Sequence, residues 1–104
     1  MSWKQVERAI AKRLGGKRVG CTGQATPDVV TDWLSIEVKS RKALPKWLWE
    51  GIEQARRGCR EDQLAILVLH EKGEHHDNDL VILRLADFEG WFGDVGAATV
   101  GRQN

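Results

Sequence analysis

The chain has 104 residues, 41% of them hydrophobic and 30% charged, with a formal net charge of +1. That length specifies one small domain, and no run approaches the roughly 18 consecutive apolar residues of a transmembrane helix. A balance so near neutrality means that affinity for nucleic acid must come from where the basic residues sit, not from their excess. The N-terminus has no signal-peptide pattern, and Cys21 and Cys59 lack metal-ligand spacing. A cytoplasmic location with reduced thiols is expected, a disulfide being the alternative.

The first predicted element is a helix over residues 2–14. Ser2 supplies an N-cap, Val6, Ile10 and Leu14 recur at four-residue spacing, and Gly15-Gly16 ends the pattern. A short strand is expected from Lys17 to Cys21, followed by a loop marked by Gly20, Gly23 and Pro27.

The next segment, TPDVVTDWLSIEVKSRK from Thr26 to Lys42, carries the chemistry. Leu34, Ile36 and Val38 alternate with Ser35, Glu37 and Lys39, the period of a half-buried strand. Asp28 to Thr31 is a second β-prone run. A two-residue turn at Asp32-Trp33 would pair residues whose numbers sum to 65, setting Asp28 opposite Glu37 and Val29 opposite Ile36. Opposed residues share a sheet face, with Cβ atoms about 4.5–5.5 Å apart. Asp28, Glu37 and Lys39 then lie on one face, and Val29, Leu34, Ile36 and Val38 on the other. Asp-Trp is not a favoured hairpin dipeptide, so a longer loop or a bulge is the competing geometry. Two like charges in register repel unless something neutralises them. A hard divalent cation would do so, and a lysine beside it suits hydroxide or phosphate charge. The competing reading is that Lys39 alone neutralises an exposed pair, or that Asp28 simply follows Pro27 into a turn.

Pro45 suits the first turn of a second helix reaching Arg57, with Gly58 stopping it and Leu48, Ile52 and Ala55 as its buried stripe. Gln63 to Leu69 is continuously apolar and predicts a central strand buried on both faces. The loop EKGEHHDN leads to a strand over Asp79 to Leu85. Within it His75-His76-Asp77 lacks ligand spacing, and adjacent histidines point apart, so a solvated hairpin loop is expected. A last helix spans Ala86 to Phe92 with Asp87 as its cap, and the Gly-rich segment 94–104 reads as a flexible tail. The predicted order is α-β-β-β-α-β-β-α, an α/β domain over residues 1–93.

Charge is distributed unevenly. Arg8, Lys12, Lys17 and Arg18 precede the hairpin, Arg41, Lys42 and Lys46 follow it, and Arg56 and Arg57 close the second helix. Basic residues on both sides of the carboxylates suit a phosphate-tracking surface; solvated helix faces are the alternative. Five tryptophans exceed what so small a core consumes. Trp47, Trp49, Trp91 and Phe92 are candidates for a self-association patch.

Pro27-Asp28 and Glu37-Val38-Lys39 resemble the signature of the PD-(D/E)XK nuclease superfamily. The run Glu37-Val38-Lys39-Ser40-Arg41-Lys42 is similar to the archaeal-type Holliday junction resolvases, and the resemblance covers roughly residues 2–90. It implies a restriction-endonuclease-like mixed sheet flanked by helices, with Mg²⁺ or Mn²⁺ bound at the hairpin. It also implies a glutamate from the first helix at that site, which here is Glu7, and a Thr-Gly pair before the motif, here Thr22-Gly23. The ligands would be Asp28, Glu37 and the Val38 carbonyl, completed or supported by Glu7. Lys39 would act on the attacking water or on transition-state charge, and Thr22 would contact the scissile phosphate. Glutamines on the helix after the E-x-K strand lie near the metal in this superfamily, which points to Gln54; an exposed polar residue is the other reading. The implied activity is hydrolysis of four-way DNA junctions by a homodimer, whose two-fold symmetry would match the two cleavage positions. The loop before Pro27 and the hairpin turn are shorter than in many resolvases. VRR-type and phage endonucleases with similar motifs occur in similarly small chains. Flaps, nicks and duplex ends are therefore alternative substrates, and a non-catalytic nucleic-acid-binding domain is the alternative outside enzymes.

Overall fold

Helix α1, Trp3–Leu14, begins where a capping box begins: the Ser2 hydroxyl accepts from the Gln5 amide, and the Gln5 side chain accepts from the Ser2 amide. Its end is set by Gly15, whose φ of 67° lies in the left-handed region, and the amides of Gly15 and Gly16 both donate to the Ala11 carbonyl. The computed structural model describes residues 2–20 and 26–93. Cys21, Thr22, Gly23 and the expected tail lie outside them. The described residues form two compact units, one comprising those up to Lys42 with Phe92 and Gly93, the other Ala43–Trp91.

The first unit sets α1 beside a three-stranded antiparallel sheet in the order β1 (Lys17–Arg18), β2 (Val29–Val30), β3 (Ser35–Ile36). Register is Val29↔Ile36 and Val30↔Ser35, the pairing that the two-residue turn requires. Ala11, Leu14 and Val29 form the core, and Val29 is fully buried. Gly16 is where helix and hairpin meet most closely. A Cβ there would lie 2.7 Å from the Val30 carbonyl oxygen and 2.8 Å from Val29 Cγ1.

The second unit pairs helix α2 (Lys46–Arg57) with a two-stranded antiparallel sheet, β4 (Leu67–Leu69) and β5 (Leu80–Ile82), and begins helix α3 (Leu85–Phe92). Leu48, Ile52 and Ala55 do turn inward on α2, with Ile52 buried. Gly51 lets Leu67 approach, since a Cβ at that position would lie 3.0 Å from both Leu67 methyls.

Three expectations need correction. Pro45 is the N-cap of α2, its carbonyl accepting from the Leu48 and Trp49 amides, and so stands just before the first turn. The apolar run Gln63 to Leu69 is not a central strand. Only Leu67–Leu69 is extended into a ladder, among the described residues it pairs with β5 alone, and Val68 is 50% exposed. Continuous hydrophobicity marks burial on two faces only where both faces have cover, and Val68 and its partner Val81 stay half exposed. Helix α3 starts at Leu85, its first bonds accepted by the Arg84 carbonyl, so Asp87 lies within the first turn and is not its cap. Its carboxylate instead accepts from Arg56 Nη1 at 2.9 Å and Arg84 Nε at 3.4 Å. The element order is as expected, and the described strands pair antiparallel in two small sheets. The architecture is mixed α/β.

Candidate active site on the β2–β3 hairpin

The turn works without the glycine that a primed hairpin turn wants. Among the described residues no non-glycine has positive φ. Thr31 replaces the missing turn chemistry: its Oγ1 accepts from the amides of Trp33 at 3.2 Å and Leu34 at 3.0 Å, and its own amide donates to the Leu34 carbonyl at 3.0 Å. Beyond the turn, exposure alternates from Leu34 to Lys39. Leu34, Ile36 and Val38 are half-buried, and Ser35, Glu37 and Lys39 are exposed.

Asp28 is held from three sides. Its carbonyl accepts from the Val19 amide and its amide donates to the Ile36 carbonyl, both at 2.9 Å. Its Oδ2 accepts from the Val38 amide at 2.7 Å. The paired residues end at Val29–Ile36, so the expected Asp28–Glu37 pair is not part of the ladder, and the Asp28 amide donates to the Ile36 carbonyl. From there the Asp28 carboxylate does what a strand carbonyl would otherwise do for Val38. The side chain thereby reaches along β3 toward Glu37 and Lys39.

Lys39 Nζ lies 2.7 Å from Glu37 Oε2. The hydrogen bond and the charge of Glu37 raise the Lys39 pKa above its ordinary 10.5, and the Asp28 charge adds to the same field against Arg41. Glu37 and Asp28 thus both act electrostatically on Lys39 at the open end of the hairpin.

Glu7 takes a different place. It is the buried charged residue among those described, 7% exposed, on the face of α1 that also carries Ala11 and Leu14. Arg18 Nε on β1 donates to its Oε1 at 2.7 Å, and the Arg18 guanidinium also lies 5.7 Å from the Trp3 ring centre. A carboxylate so buried needs such a partner. Glu7, Asp28 and Glu37 do not form a set with ligand atoms all within 4.8 Å of one another; among the described residues His70, His76 and Asp79 do. Thr22 lies outside the described residues. In the second unit Gln54 is exposed on α2.

Of the basic residues, Arg8, Lys12 and Lys17 are exposed on α1 and β1, and Arg41 and Lys42 are exposed after β3. Arg18 is committed to Glu7. In the second unit Lys46 and Arg57 are exposed, whereas Arg56 is half-buried and tied to Asp87. The Cys59 thiol is free and donates to the Gln63 carbonyl at 3.0 Å. No described helix is long and apolar enough to cross a membrane.

Comparison with protein-family models, curated proteins and solved structures finds no match for this chain.

Proposed function

We propose that the chain is a metal-dependent endodeoxyribonuclease of the PD-(D/E)XK kind, with a restriction-endonuclease-like fold, that resolves four-way DNA junctions as a homodimer. The observation that carries this reading is the convergence of Asp28, Glu37 and Lys39 on one hairpin end, with the Asp28 carboxylate bonded to the Val38 amide and Lys39 to Glu37. The element order supports the fold. Exposure of Trp47 and Trp49, at 58% and 52%, supports self-association.

The donor set fits a hard cation: the carboxylates of Asp28 and Glu37 and the carbonyl of Val38 would hold Mg²⁺ or Mn²⁺. Such an ion supplies Lewis acidity and a water of lowered pKa. The protein supplies the rest. Lys39, paired with Glu37 at 2.7 Å, serves as a donor to the phosphate charge that develops. Glu7 acts behind the site: by holding Arg18 it fixes α1 against β1, the strand that pairs with β2 and so seats Asp28. Exposed Arg8, Lys12, Lys17, Arg41 and Lys42 would track the phosphates.

The test is Mg²⁺-dependent cleavage of an immobile four-way junction compared with linear duplex, nicked duplex, flap and single strand. Paired nicks placed symmetrically about the branch point support the resolvase reading. Preference for flaps, nicks or ends would retain the nuclease and replace its substrate, and DNA binding without cleavage of any of them would point to a non-catalytic domain.

A further inference from the structure

The β4–β5 hairpin carries a second constellation, independent of the carboxylate hairpin. The register Leu69↔Leu80 places the next residues outward, His70 and Asp79, opposite each other. Between them the loop folds back through a 3-10 turn at His76–Asn78, closed by the Asp79 amide donating to the His76 carbonyl at 3.0 Å. That turn carries the His76 ring over the His70 ring, with centres 4.6 Å apart. His70 Nδ1 lies 2.7 Å from Asp79 Oδ1, and His76 Nδ1 lies 3.1 Å from Asp79 Oδ2. All three ligand atoms fall within 4.8 Å of one another.

We propose that His70, His76 and Asp79 form a binding site for a borderline divalent metal ion of the Zn²⁺ class, with at least one coordination position open to solvent. Two imidazoles and a carboxylate suit Zn²⁺ and its first-row neighbours, whereas Mg²⁺ selects oxygen. A tetrahedral ion bound at about 2.0–2.2 Å holds adjacent ligand atoms roughly 3.3–3.5 Å apart. The 3.1 Å between His76 and Asp79 is already close to that spacing, and the 2.7 Å between His70 and Asp79 would widen as the ion replaces the proton of that hydrogen bond. A neutral imidazole carries one N–H; with that proton on Nε2, each Nδ1 lone pair faces the ion. Surrounding charge favours a cation, since Glu71 and Glu74 line the same groove as His70 and Asp77 sits in the turn. Bound metal would clamp the loop to the ends of both strands.

The test is calorimetric titration of the tag-free full chain with Zn²⁺, with thermal unfolding as a second readout. Wild type is expected to bind one ion per chain with micromolar or tighter affinity, to melt higher with Zn²⁺, and to hold it against millimolar Mg²⁺. His70→Ala, His76→Ala and Asp79→Asn should each weaken binding by more than about tenfold and abolish the thermal shift. Asp28→Asn should leave both unchanged, which separates this site from the proposed nuclease site. The His76 side chain is 83% exposed, so its removal cannot be confused with misfolding. Wild-type-like binding by His76→Ala or Asp79→Asn, or no saturable binding of micromolar Zn²⁺ by wild type, would overturn the proposal.

Discussion

At the scale of single residues, Lys39 and Glu7 separate two uses of charge. Lys39 is exposed, and its ion pair with Glu37 contributes little to stability; Lys39→Ala is expected to leave the unfolding midpoint nearly unchanged while removing cleavage. Asp28→Asn and Glu37→Gln should do the same to cleavage. Because the Lys39 pKa is raised, its ammonium persists as pH rises and is lost only above about 10.5. The cleavage rate should therefore show no falling limb from Lys39 between about pH 7 and 9, and a fall there that disappears in Lys39→Arg would contradict the donor role. Glu7 behaves oppositely. Its replacement by alanine strands a mostly buried Arg18 guanidinium, and urea denaturation should record a loss of about 1–3 kcal/mol.

Among the elements, the tightest constraint is the seat of the hairpin on α1. Gly16→Ala would drive a methyl into the Val30 carbonyl oxygen and the fully buried Val29, contacts that a backbone atom cannot relieve by rotating. A destabilisation of about 1–3 kcal/mol is expected from overpacking, with cleavage falling as well because β2 carries Asp28. Wild-type stability and activity in that variant would mean that the hairpin is not held this way. The pairs Val29–Ile36 and Val30–Ser35 were legible because alternation and turn length leave one pairing that sets Val29 and Ile36 on a shared face. What composition could not show was that the Thr31 hydroxyl makes an Asp-Trp turn workable, or that the Asp28 side chain ends the ladder. The apolar run before His70 misled because local hydrophobicity does not report whether a sheet face will be covered. His70 and Asp79 escaped notice for a related reason. The adjacent pair His75-His76 attracts the eye, whereas the partners of His76 lie across a strand pairing that must be known first.

For the whole molecule, helix existence and element order followed from capping and periodicity, while sheet extent did not, because it depends on pairing between segments distant in sequence. Self-association belongs to this scale. Sedimentation at micromolar concentration is expected to show a dimer, and a monomer would weigh heavily against a symmetric junction substrate. Asp28, Glu37 and Lys39 are proposed to form a metal-dependent phosphodiesterase site. Its most direct test is Mg²⁺-dependent nicking of an end-labelled four-way junction by wild type beside Asp28→Asn, with junction binding measured in parallel. The expected result is paired nicks near the branch point in wild type, and none in the variant despite retained binding. An intact junction with wild type in both Mg²⁺ and Mn²⁺, or equal cutting by Asp28→Asn, would contradict it.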